Sequence, residues 1–533
     1  MTDVAAPSGP APAAAKIPWL GLMAVLLGTF ISTLNGRLSS LGLADIRGAM
    51  HAGLDEGAWI TTSQTVAQMM IAPVAIWVGT IYGPRRPLLF AAMAFAVISV
   101  ITPFSNGLPM LLTLQFLGGM ASGFFVPLTL GFILRSIPPK YWAYGMAIYA
   151  LNLELSLNIS ASLEGWYVDN LSWRWIFWQN TPLAIGMVLC LHFGVARTPP
   201  DPHRPRADLF GLASGGLGLA LIYAGLDQGN RLDWLNSGIV WGLLLSGAVL
   251  VLGFAVHEAR TPHPLIDLKV ALAPPLPRLL VLVAFLRLTI LSTAFLIPQY
   301  LQTVRGFRAL EVGETLIWIA APQLIFCPLA ALMLRRSDPR LVSSIGFIFI
   351  AIACLMVAHG LTPLWSSAQF LPSQLLQAIG QSFALSGILF FAVLHLRPQD
   401  ALTFGAAVQT ARLMGGEMGQ AFVATLNRVR GQVASNFIGL HVQVGDGAVA
   451  QRLAAYGAVA QRSNADPAAA SLRAGALLGG VVRSAAQTQG VIDSFVVVAG
   501  LTAFALMLVV AHRPAPLGPA SYRPLFDRQD TGS

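Results

Sequence analysis

Glu154, Glu164 and Glu417, and Arg37, Arg287 and Arg412, stand inside long runs of apolar residues. A charged side chain in hydrocarbon costs on the order of 2.5–3.5 kcal/mol on insertion scales, so such groups face a bundle interior or a wet cavity. A carboxyl that gains and loses a proton as a cavity switches sides would couple solute movement to proton movement. Glu154 is the first candidate, because with Asn158 and Ser162 it forms an i, i+4, i+8 series, one polar stripe on a helix. Glu164 follows about 15 Å further along at 1.5 Å per residue, where a solvated helix end is the plainer reading. For Glu154 and Glu417 the plainer reading is a static hydrogen-bonded or ion-paired residue. The stretch "TFISTLNGRLSS" places Asn35 and Arg37 near the end of an apolar run that begins near Ile17. Glu154–Arg37 and Glu417–Arg287 are the conceivable ion pairs, and the same arginines could hold an anionic substrate through bidentate contacts. Gln374, Gln377 and Gln381 fall on one face at i, i+3, i+7. They line a wet groove or tie helices together.

The elements that must carry these groups follow from composition. Of 533 residues 55% are hydrophobic and 10% charged, far from the roughly 25% charged of soluble domains. Fourteen runs are long enough to cross about 30 Å of hydrocarbon: 17–40, 58–80, 86–105, 109–134, 141–164, 174–195, 208–227, 236–257, 278–303, 311–334, 339–359, 366–395, 400–426 and 489–512. The pattern predicts an all-α integral membrane protein of fourteen transmembrane helices. An even number puts both ends on one side, and the density of Lys and Arg in the loops of that side makes it cytoplasmic. Residues 1–16 and 513–533 are then cytoplasmic tails, the first Pro/Ala-rich and disordered. Residues 427–488 form a long periplasmic connection with amphipathic helical stretches, a candidate cap or partner-docking surface.

The net charge of +9 is spread over short loops, with no basic stripe to suggest nucleic acid. Cys190, Cys327 and Cys354 lie within apolar runs at no metal or disulfide spacing. No phosphate-binding glycine loop or nucleophile elbow occurs, so the residues give no support to catalysis, to ATP-driven transport or to a resident cofactor or metal.

Three segments carry a family resemblance. "PQYLQTVRGFRALEVG" (Pro298 to Gly313), "QTARLMGGEMGQA" (Gln409 to Ala421) and "WRWIFWQNTPLAI" (Trp173 to Ile185) resemble the fourteen-span drug/proton antiporter branch of the major facilitator superfamily, the EmrB/QacA type. The resemblance covers 17–512. It implies two six-helix bundles, 17–195 and 278–512, with two further helices over 208–257 inserted between them, and alternating access to a site near the midplane. It also implies efflux of drugs or lipophilic small molecules by proton antiport across a bacterial inner membrane. Membrane lipid would surround the chain, and a periplasmic membrane-fusion adaptor and an outer-membrane channel are the implied partners. Arg412 matches the family segment of the thirteenth helix, which implies a structural part for it.

Four motifs of the branch are rewritten. Asn35 stands where the first helix usually carries Asp, Gln115 stands where the fourth carries Arg, and "SASLEG" replaces the antiporter motif of the fifth. The loop after the second helix keeps Gly83, Arg85 and Arg86 of a gating motif without its Asp. Two alternatives follow: export or flipping of an anionic or lipidic substrate with altered or no proton coupling, and a scaffold or sensor that transports nothing.

Overall fold

A computed structural model describes residues 18–196, 208–261, 276–396, 401–443, 445–462 and 466–513; among them the chain is helical, with no strand. The expected tails, 1–16 and 513–533, lie outside the described residues apart from Arg513. Backbone groups have no water to bond in hydrocarbon, so an apolar run there closes its own hydrogen bonds as a helix. Among the described residues twelve helices are long and apolar enough to cross a membrane. They include α1 (Trp19–Leu41), α3 (Arg85–Phe104), α4 (Leu108–Ser136), α6 (Trp175–Gly194) and α9 (Leu276–Thr303). The others are α2 (Trp59–Tyr82), α7 (Leu209–Gly229), α8 (Gly238–Arg260), α10 (Ala309–Leu334), α11 (Pro339–Gly360), α12 (Ser367–Val393) and α14 (Pro467–Val510). Two more, α5 (Trp142–Asn170) and α13 (Ala401–Leu440), carry their polar residues into the core and are long enough to span. Each of the fourteen expected runs falls on one of these helices.

Helices α1–α6 pack mainly on one another, and so do α9–α14; the two groups meet along α5 and α10 and where α13 crosses α2 and α4. Small residues allow these crossings. A Cβ on Gly165 of α5 would sit 2.3 Å from the backbone nitrogen of Leu310, and one on Gly405 of α13 would sit 2.5 Å from the Pro127 carbonyl oxygen of α4. The inserted helix α7 lies on α2 and touches α13, while α8 packs on α7 and turns Leu245, Val249 and Leu252 outward.

The helical stretches expected within 427–488 are present, and most of them run on from the flanking spans. Helix α13 runs unbroken for 40 residues and α14 for 44, about 60 and 66 Å at 1.5 Å per residue, twice the hydrocarbon thickness. No proline interrupts 427–440. The two helices therefore continue past the membrane, with a helix over Gly447–Gln461 between them.

Candidate functional site

Helices α1, α2, α5, α7, α9 and α13 line a cavity of about 170 Å³ that reaches the first turn of α2 and the last turn of α7. Arg37 reaches it from α1, Arg287 from α9 and Arg412 from α13. Helix α9 is π-helical over Ser292–Leu296, and such a widened turn is a common feature of functional sites. The Arg37 Nη2 donates to the Ala294 carbonyl within it. Arg412 donates from Nε and Nη2 to Gln409 Oε1 at 3.2 and 2.8 Å and from Nη1 to Thr33 Oγ1 at 3.1 Å, tying α13 to α1. The Nε atoms of Arg37 and Arg287 are buried without a hydrogen-bond partner. Arg287 lies within electrostatic reach of both other guanidiniums, so the chamber holds closely spaced positive charge.

Asp227 and Glu417 are the carboxyls among the chamber's lining; Glu154 lies outside that lining but within electrostatic reach of two of the arginines. It is 0% exposed, neither of its oxygens has a hydrogen-bond partner, and Arg287 and Arg412 act on it electrostatically. It makes no direct ion pair among the described residues. The structure thus sets Glu154 beside Arg287 and Arg412, in place of the expected Glu154–Arg37 pair. Glu417 is likewise turned away from an ion pair with Arg287. The Tyr223 hydroxyl donates to its carboxyl, Thr65 donates to Tyr223, and Asp227 stands close by.

The polar stripe below the chamber is a bridge between the bundles. Asn158 Nδ2 donates to Gln323 Oε1 and Gln381 Oε1 at 3.4 and 3.3 Å, Gln381 Nε2 to Thr293 Oγ1 at 3.0 Å, and Gln377 Nε2 to Ser292 Oγ at 3.1 Å. Gln374 bonds its neighbour Ser373, and its Oε1 has no partner. These glutamines join α5, α9, α10 and α12, and none of them lines the chamber.

The remaining candidates lie elsewhere. Asn35 accepts from Asn180 Nδ2 of α6 at 2.6 Å, and Gln115 Nε2 reaches Ser39 Oγ at 3.5 Å; both are buried between helices, outside the chamber lining. Glu164, expected at a solvated helix end, is 0% exposed, with neither oxygen partnered. It sits beneath Gly42, where a Cβ would come within 3.1 Å of its Oε1. Five residues on, Asp169 pairs with Arg308 at 2.9 Å. Gly83 closes α2 with a positive φ of 68°, a conformation that favours glycine. Arg85 donates to the carbonyls of Leu191 and His192 at 3.4 and 3.0 Å, capping the end of α6, whereas Arg86 is exposed. Because Asn35 faces Asn180, Asn35→Asp is expected to bury a charge held by that one amide donor, costing several kcal/mol. The measurement is a lowered thermal midpoint without a gain in gradient-driven flux; a clean gain would put position 35 in the chamber.

Tyr223, Asp227 and Gln323 were not legible as site residues. Tyr223 and Asp227 are i, i+4 on a helix that otherwise looks like a lipid-facing span, and Gln323 is a single amide in an apolar run. The one available signal was the i, i+4 spacing itself. Among the described residues no three His, Cys, Asp or Glu side chains come together as a metal site.

A profile of the Major Facilitator Superfamily matches residues 25–419. Similar curated proteins include a probable multidrug resistance protein EmrY of Escherichia coli K12, 27% identical over 371 residues, covering 69% of this chain and 70% of that one. The multidrug export protein EmrB of the same strain is 23% identical over 404 residues, covering 76% and 79%. Among solved structures the proton:xylose symporter XylE superposes with a TM-score of 0.62 at 10% identity, covering 97% of this chain and 99% of that one, a likeness of fold.

Proposed function

The chain belongs to the Major Facilitator Superfamily, and within that family of membrane transporters we propose that it is an exporter of small amphipathic molecules carrying an anionic group, driven by proton antiport. The observation that carries this reading is the chamber itself, where Arg37, Arg287 and Arg412 converge while Glu154, on which two of them act, is unpartnered. Guanidiniums with free donors offer an anion charge-assisted hydrogen bonds, worth about 1.5–3 kcal/mol each. A lipophilic cation entering the same space meets repulsion from all three, against two carboxyls on the α7 and α13 side, Asp227 and Glu417. The drug-export names of EmrY and EmrB support efflux as the direction. Glu154, facing two of the arginines, is the proton carrier in this reading. For antiport the carboxyl gives its proton up on the inner side as substrate loads and takes a proton on the outer side after substrate has left, so the two move in opposite directions.

In the same reading the membrane is a bacterial inner membrane and both termini are cytoplasmic, because Lys and Arg gather at that face. The outer ends of α13 and α14, with Gly447–Gln461, then project into the periplasm, where an adaptor would dock. The test is flux in proteoliposomes for matched anionic and cationic amphiphiles, with and without an imposed pH gradient. Anions are expected to move against their gradient. Arg287→Gln is expected to slow them at least tenfold, the loss of one such bond. Cations carried as fast as anions would overturn the substrate assignment.

A further inference from the structure

A second cavity, of about 440 Å³, lies between the inserted helices and the C-terminal bundle. Its walls are Ala72 and Ile76 of α2, Leu219 of α7, Phe254 of α8, Ala284 of α9 and Ala407 of α13, with Thr410 the polar side chain among the described lining. The mouth faces hydrocarbon: Val281 and Met418 on the rim are 47% and 56% exposed. Its size falls in the range of small-molecule sites, about 300–1,000 Å³.

This crevice and the arginine chamber share their walls. On α2, Thr61, Thr65 and Gln68 line the chamber, and Ala72 and Ile76 continue the same face into the crevice. On α7, Gly215 and Leu219 line the crevice, while Tyr223 and Asp227, at the next i+4 steps, line the chamber. On α9, Ala284 lies one turn, about 5 Å, from Arg287. The crevice is closed on its outer side by α7 and α8. Without that pair, Ala72, Ile76 and Ala407 would meet lipid directly.

We propose that the crevice is the tail-binding part of the substrate site. An amphiphile enters sideways from the lipid, lays one hydrocarbon chain between α7 and α13, and brings its anionic head to Arg287 and Arg412. The occupant is a single-chain transported molecule; an anionic membrane lipid is the rival tested below. The inference rests on the export reading of the chamber and gives the inserted helix pair a task, shaping the entry. Moving a chain from lipid into an apolar crevice gains little by itself, so the head selects for charge and the crevice for shape.

Protein-dependent binding is measured in phosphatidylcholine nanodiscs with radiolabelled dodecanoate, butanoate and dodecyltrimethylammonium. Ala407→Trp and, independently, Leu219→Trp fill the crevice; a thermal midpoint and a size-exclusion profile near wild type qualify each variant. Dodecanoate binding is expected to weaken at least tenfold in both, millimolar butanoate binding to change less than twofold, and dodecyltrimethylammonium to show no protein-dependent binding. Dodecanoate binding that ignores both tryptophans in folded protein overturns the proposal. So does complete displacement of dodecanoate by phosphatidylglycerol built into the nanodisc, which would make the occupant a resident lipid. Because binding is read without flux, dodecanoate that binds as expected but is not carried leaves the crevice assignment standing and defeats the export reading alone.

Discussion

Glu154→Gln is expected to abolish uphill, gradient-driven flux, a fall of about 100-fold or more, while substrate exchange without a gradient persists. The amide keeps the volume and polarity of a protonated carboxyl and removes the exchangeable proton. At this position the distinction is large, because the group is 0% exposed and has no hydrogen-bond partner for either oxygen. A buried carboxylate of that kind is tolerated only through the nearby guanidiniums of Arg287 and Arg412. An antiporter's carboxyl carries a proton inward on the substrate-free leg of the cycle, and the neutral variant carries none on either leg. The free energy of the gradient is then uncoupled from the substrate, although the chamber still binds. Glu154→Asp, which retains the proton at a shifted position, is expected to recover part of the coupling. The measurement is accumulation against a concentration gradient in proteoliposomes with an imposed pH difference, beside counterflow at equal pH. Uphill flux that survives in Glu154→Gln moves the coupling acid to Glu417, whose partner Tyr223 stabilises it in a different environment. Glu417→Gln is then the decisive second variant.

Much of this architecture was legible because hydrocarbon dictates helix length: apolar runs of twenty or so residues have one solution. Glu154 was legible for a similar reason, since a lone carboxyl inside such a run must face inward. Its partner was not. Asn35 and Arg37 are two residues apart, about 200° around a helix of 3.6 residues per turn, so only one of them can face the chamber. Sequence gives no zero for that rotation. Packing sets it: Gly28 of α1 lies against Met187 of α6, and Asn35, two turns on, meets Asn180 of the same helix. Arg37 is thereby turned toward α9. Tyr223 and Asp227 are not legible as site residues because they sit near the end of a span, where aromatic and acidic residues are ordinary interface anchors. What makes them site residues is the approach of α13, a contact across almost two hundred residues of chain.

The glycines of the resembling segments show a second kind of legibility. Gly313, Gly415 and Gly419 read as family signatures, and the structure gives each a steric reason. A Cβ would lie 2.6 Å from Ser162 Cα at Gly313, 2.5 Å from Ala284 Cα at Gly415 and 2.9 Å from Leu291 Cδ1 at Gly419. Gly165 of "SASLEG" belongs with them, since its hydrogen faces the Leu310 backbone at the far end of α5. These contacts are of two kinds. Gly415 and Gly419 pack α13 on α9 within one bundle, whereas Gly165 and Gly313 join α5 of one bundle to α10 of the other.

A transporter that alternates between faces must open and reclose such an inter-bundle contact in every cycle. Gly165→Val is therefore expected to reduce flux by about 100-fold while leaving substrate binding within a few-fold of wild type, because it touches neither the chamber nor the crevice. The obstructing atoms are backbone at 2.3 and 2.5 Å, which cannot rotate aside as a side chain would, so the outer ends of α5 and α10 must part. Ser162, whose Oγ donates to the Gly313 carbonyl at 3.0 Å when the ends are closed, reports the separation. In a background without native cysteines, Ser162→Cys is expected to be shielded from a membrane-impermeant maleimide, and to react readily once Gly165→Val is added. Gly405→Val is the matching change at the opposite end, against the Pro127 carbonyl, and is expected to stop flux while leaving Ser162→Cys shielded. The pair separates a blocked gate from a damaged fold: a misfolded protein would expose position 162 in both variants, whereas two gates at opposite ends expose it in one. Wild-type flux in Gly165→Val would show that the α5–α10 contact is passive scaffolding, and the moving seam would then lie between α13 and α2.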